Sequence, residues 1–113
     1  MITINQVKKE DIQTFIKMLT HYIEVLDISA AESEETTIRK SIAQNLLKDC
    51  YKKRQTLKFK QIFLWQLHTH QAIVFVNAIL AYKPFASLDQ KITMNQLLLV
   101  IKKQTKLTYE KAS

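Results

Sequence analysis

His68 and His70 stand two residues apart, and His21 lies upstream of them. On an extended chain, residues i and i+2 share a face. With His21 nearby, the pair could therefore present imidazoles to one zinc ion, but no further ligand is identifiable. No CxxC pair accompanies them, so they read as structural or surface groups, and no metal is expected. Cys50 is the single cysteine and sits among Lys48, Lys52 and Lys53. Exposed beside those cations, its thiol would be drawn towards the reactive thiolate. Its helical phase points instead to partial burial, and no catalytic residue is assigned. Lys48, Lys52, Lys53, Arg54, Lys58 and Lys60 make a basic patch that could hold phosphates in a salt-sensitive, sequence-independent manner. Phe59, Phe63, Trp65 and Phe75 could stack on bases, although their alternation reads as core packing.

The composition removes several kinds of chemistry. The 113 residues contain no glycine. A P-loop, a G-x-G-x-x-G dinucleotide turn and an Asn-Gly hairpin all need glycine backbone, so none is available. Apolar residues make up 47% of the chain, enough for a core of one domain. The net charge of +7 is uneven. Residues 1–47 hold five basic and seven acidic side chains, residues 48–60 six and one, and residues 61–113 six and two. Gln61 to Tyr82 carries no formal charge, but Gln66, His68, Thr69, His70, Gln71 and Asn77 would be costly in hydrocarbon. Lys8, Lys9, Glu10 and Asp11 occupy the place of a signal peptide's apolar run. A soluble, cytoplasmic protein without a membrane partner is expected.

The elements that position these residues follow from periodicity. Ile2 to Gln6 alternates apolar and polar, as a half-buried strand does. Lys9-Glu10-Asp11 opens a helix whose apolar stripe is Ile12, Phe15, Ile16, Leu19, Tyr22, Ile23 and Leu26. After a polar break at Ala30–Glu35, Ser33 can cap a second helix with buried positions Ile38, Ile42 and Leu46. Its C-terminal end carries the basic patch, where cations also suit the helix dipole. Phe59 to His68 and Ala72 to Tyr82 are rich in aromatic and β-branched residues and predict two strands about a turn at Thr69–Gln71. Pro84 ends the second. Ala86 to Gln90 is a polar connection, and Ile92 to Ile101 predicts a further strand. The expected class is α+β: an antiparallel sheet of about four strands, with two helices between strands one and two. An all-α bundle is the alternative. Residues 1–101 form the expected domain and 102–113 a frayed basic tail.

In this order, Ile2–Asp11, the Ile12–Leu26 helix, the acidic-capped second helix, the expected hairpin, the Tyr82–Leu88 corner and the run Met94–Val100 resemble the N-terminal half of the GNAT superfamily of N-acetyltransferases. The resemblance covers about residues 1–101. It implies acetyl-CoA as cofactor and a bulged fourth strand whose backbone would hold the acetyl and pantetheine groups at Leu99, Val100 and Ile101. It also implies that Tyr22, Glu24 and Tyr82 face an acceptor groove, although core packing or an ordinary surface position is the better reading of each. The family's next element is a glycine-containing pyrophosphate loop opening a helix. Here the chain reads Ile101-Lys102-Lys103-Gln104-Thr105-Lys106, and such a helix terminus is what would bind the anion.

The expectation is therefore a truncated or degenerate GNAT-like protein, non-enzymatic and without a cofactor, that works through protein contacts. Without the later half, Ile92–Ile101 would be an apolar edge strand, which predicts a homodimer through Ile92, Met94, Leu97 and Leu98. Two alternatives stand beside it. One is an N-acetyltransferase whose site a second chain completes, with Lys102 and Lys103 serving the pyrophosphate. The other is a basic nucleic-acid-associated protein.

Overall fold

The alternation at the N-terminus forms a strand, and the stripe behind it forms a helix. The computed structural model describes residues 1–28, 33–58 and 61–112, with side chains through residue 105. Strand β1 spans Ile2–Lys8, helix α1 Lys9–Ile28, helix α2 Glu34–Thr56, strand β2 Ile62–Leu67, helix α3 Thr69–Tyr82 and helix α4 Leu88–Ala112. A short 3-10 turn at Lys83–Phe85 joins the last two helices, with Pro84 inside it.

β1 and β2 pair antiparallel, with Ile2 opposite Leu67, Ile4 opposite Trp65 and Val7 opposite Phe63. The register shifts between Ile4 and Val7. Gln6 takes φ of 57° there, a left-handed conformation that absorbs the extra residue of a bulge. The inward side chains of both strands meet α1 and α3. Phe15, Trp65 and Phe75 form the centre: Phe75 meets Phe15 at 5.5 Å and Trp65 at 5.7 Å, both edge to face. Such tilted contacts satisfy the ring quadrupoles. Around them lie the buried Ile12, Met18, Leu19, Leu46, Ile79 and Met94. α1 packs most extensively on α2 and α3, and α4 lies beside β1.

Helix starts are chemically specified. The Lys8 main-chain N–H donates to Asp11 Oδ2 at 3.0 Å. Ser33 Oγ accepts from the Thr36 N–H at 3.1 Å and caps α2 as expected. Ser87 and Gln90 form a reciprocal box at the start of α4: the Ser87 N–H donates to Gln90 Oε1 and the Gln90 N–H to Ser87 Oγ. That box satisfies two donors a helix start leaves open.

The expected four-stranded sheet does not form. Ala72–Tyr82 lies within α3 and Ile92–Ile101 within α4, so only two strands are present among the described residues. The uncharged run from Ala72 is buried on one helical stripe, Ala72, Phe75 and Ile79 beside Val74 and Ala78, a pattern an alternating strand cannot give. Thr69–Gln71 is the first turn of this helix rather than a hairpin turn. In α4, Met94, Leu97 and Ile101 are buried at spacings of three and four. The all-α alternative differs too, because β1 and β2 form a sheet. No strand edge exists at Ile92–Ile101. Of the residues expected on a dimer edge, Met94 and Leu97 are core, Leu98 is half-buried and Ile92 is exposed. The expected basic tail continues α4 to Ala112. Among the described residues, no helix is long and apolar enough to cross a membrane.

Candidate functional site

α3 has no charged side chain. Its inner stripe is consumed by the core, yet its outer side is also apolar. Ile73 is 47% exposed, and Leu80 lies two turns further on the same side, also exposed. On α4, Leu88, Ile92 and Leu99 are exposed in the same way, with Leu99 at 67%. The start of α3 and residues 99–105 of α4 line an open groove of about 1230 Å³. Ile2, Ala72, Ile73, Val76, Leu99 and Ile101 give it apolar walls. Thr69, Asn77, Lys102, Lys103, Gln104 and Thr105 give it a polar margin.

One wall is fixed by Gln104. Its side-chain amide accepts from the Thr3 N–H at 2.8 Å and donates to the Thr3 C=O at 2.6 Å. A single amide thus replaces the neighbouring strand that β1 lacks on this side. It ties α4 to β1 and holds Lys102 and Lys103 at the mouth of the groove.

Leu99 and Ile101, expected at a cofactor site, both line this groove, and Val100 lies between them, half-buried. Their backbone does not have the expected form. In mid-helix, the N–H and C=O groups of residues 99–101 are bonded along α4, so they are not a bulge open to a pantetheine arm. Tyr22 is core, and Tyr82 meets His21 edge to face at 5.6 Å.

The basic patch is spread over the end of α2. Lys48, Lys52, Lys53 and Lys58 are exposed and Arg54 is half-buried; Lys60, like Phe59, lies outside the described residues. Lys53 lies over the Phe63 ring and Arg54 over Tyr51, each at 5.0 Å. These cation–π contacts seat two of the cations on the protein's own aromatic surface. The aromatic residues expected as core or base platforms resolve as core: Trp65 and Phe75 are buried and Phe63 packs against them.

The histidines divide into two places. His68 and His70 stack at the start of α3 with centroids 5.4 Å apart, while His21 packs against Phe85 and Tyr82. Among the described residues, no group of three potential ligands could hold a metal ion.

Cys50 is fully buried. Desolvation, with a smaller contribution from Asp49, pushes its pKa up to about 12, so the neighbouring lysines do not activate it. Two consequences follow. Folded protein at pH 8 should resist a disulfide thiol reagent at rates set by unfolding, while denatured protein reacts at once. Below the unfolded thiol's pKa, burying the protonated group carries no ionisation cost. As pH rises from there towards about 12, only the unfolded state ionises, and stability falls. A Cys50→Ala variant, followed by urea titration across that range, should lose less stability with pH than the parent chain.

The feature missed in the sequence is the exposed apolar side of α3 and α4. Its signal was present as Ile73, Val76 and Leu80, and as Leu88, Ile92 and Leu99, but it is legible only once both segments are read with a helical period. The chain matches no known protein-family model, and no curated protein or solved structure shows significant similarity to it.

Proposed function

We propose that the chain is a non-enzymatic binding protein whose α3–α4 groove takes an acidic amphipathic helix of another protein. The observation that carries this reading is an open apolar groove with two lysines, Lys102 and Lys103, in its lining. Lys83 and Lys91 lie outside it, near the turn that joins the two helices. Within residues 68–105 the only acidic side chain is Asp89. The volume exceeds the roughly 300–1,000 Å³ of small-molecule pockets, and an open trough suits a helix of about 10–12 Å diameter. Apolar anchors supply affinity in such an arrangement, and the lysines supply orientation and association rate.

The probe is a fluorescein-labelled helical peptide with leucines on one stripe and glutamates elsewhere, titrated by anisotropy. Saturable binding that weakens with salt is expected. Leu99→Asp should weaken it at least about tenfold, the equivalent of 1.4 kcal/mol, and Lys102→Glu with Lys103→Glu should remove most of the salt dependence. A peptide of the same composition without the stripe should not bind. Unchanged binding by Leu99→Asp overturns the reading. So does binding to phosphatidylglycerol vesicles with none to the peptide, which would make this a membrane-facing surface.

A further inference from the structure

A two-stranded sheet has two free edges, and here they are treated differently. On β1, the Thr3 N–H and C=O are both taken by Gln104. One step further, the bulge with Gln6 at φ 57° turns the edge away from regular pairing. This edge is closed.

The same bonds define the other edge. Because Thr3 faces Gln104, the alternation of an antiparallel ladder makes Thr3 and Gln66 the pair not bonded to each other, and turns Ile2 and Ile4 towards Leu67 and Trp65. The main-chain groups of Ile62, Leu64 and Gln66 therefore face away from β1. Among the described residues, no hydrogen bond from another element reaches them. The side chains of Ile62 and Leu64 are 51% and 55% exposed. Gln61 to Leu67 contains no charge, proline or glycine, so β2 carries none of the devices that blunt an edge strand.

We infer that β2 pairs antiparallel with β2 of a second copy, forming a continuous four-stranded sheet about a two-fold axis. Several observations favour a second copy over a different occupant. The edge is self-complementary: a two-fold at Leu64 sets Leu64 opposite its counterpart and Ile62 opposite the partner copy's Gln66, so outward donors and acceptors meet in register. Gln61–Leu67 is uncharged in both copies, so the paired segments themselves bring no cation against cation. Each described sheet has one open edge only, so addition stops at two copies instead of growing into a fibre. The contact lies across the sheet from α4 and leaves the groove free, so it stands independently of the binding function proposed above. It replaces the strand-edge dimer expected at Ile92–Ile101, a segment that is helical.

Sedimentation velocity on the full chain at about 100 µM, enough to populate a dimer of micromolar affinity, tests it. The parent chain should sediment as a dimer. Leu64→Pro removes an outward N–H without touching the β1 ladder, and should sediment as a folded monomer with unchanged far-UV circular dichroism. If that variant fails to fold, Leu64→Cys gives an independent reading. The native Cys50 is buried, and bonded antiparallel pairs stand about 5.5 Å apart at Cα, within disulfide reach. Mild oxidation should then crosslink Leu64→Cys into a covalent dimer. A parent chain that stays monomeric, a dimer that survives Leu64→Pro, a dimer broken by Leu99→Asp instead, or open-ended assembly would each overturn the proposal.

Discussion

Phe75→Ala should destabilise the chain severely. Phe75 is fully buried where α1, β2 and α3 meet, with its ring edge to face against both Phe15 and Trp65. Truncation removes the largest fully buried side chain of the core. Three separate elements line the space left behind, and none can collapse into it without leaving its other neighbours. Phenylalanine-to-alanine changes at such sites cost about 3–5 kcal/mol, against a total stability of about 5–15 kcal/mol for a domain of this kind. Trp65 is the single tryptophan and touches the altered site, so its fluorescence reports the loss directly. Urea titration should show a midpoint lowered by at least about 1 M for Phe75→Ala. Phe75→Leu keeps most of the volume and should cost under about half as much. Equal midpoints for the parent and Phe75→Ala would show that this ring is not at the centre of the core.

Asn77→Pro should be nearly as damaging, for a backbone reason. Asn77 lies in the middle of α3. Proline there deletes the bond to the Ile73 carbonyl and clashes with it, at a cost of about 3 kcal/mol or more. Asn77→Ala gives the opposite sign. Alanine is the better helix former, so this variant should hold or gain a few tenths of a kcal/mol. The pair of variants, read by thermal melts, thus separates the backbone demand at this position from the loss of the Asn77 side chain.

That segment also marks where the sequence stops being legible. In the first half, each element has one strong local signal: alternation at Ile2–Gln6, a stripe from Ile12 to Leu26, and the Ser33 cap. The structure forms β1, α1 and α2 there, because local preference and tertiary burial agree. From Ala72 to Ile79, almost every residue is apolar and several are β-branched. Neither period dominates in such a run, and β propensity then favours a strand. Tertiary burial overrides it: a helix can bury Phe75 and Ile79 inward and still leave Ile73 and Leu80 outside. Two clues pointed that way. The segment is longer than an ordinary strand, and Ser87-Leu88-Asp89-Gln90 carries the Ser-x-x-Gln spacing of a capping box. Of the elements quoted for the acetyltransferase resemblance in this half, Ala72–Tyr82 and Met94–Val100 lie in helices, while Ile62–Leu67 is a strand. Leu99 and Ile101 keep a place at the candidate site through a helix wall instead.

The groove is tested by two-dimensional NMR of the isotopically labelled chain, titrated with the acidic helical probe. Shifts should concentrate at Ile73, Val76, Asn77, Leu99, Lys102 and Lys103, the residues that line the groove, with β2 and the end of α2 unmoved. Shifts gathered instead at Lys48, Lys52 and Lys58, or no shifts at saturating probe, would contradict a binding function for the α3–α4 groove.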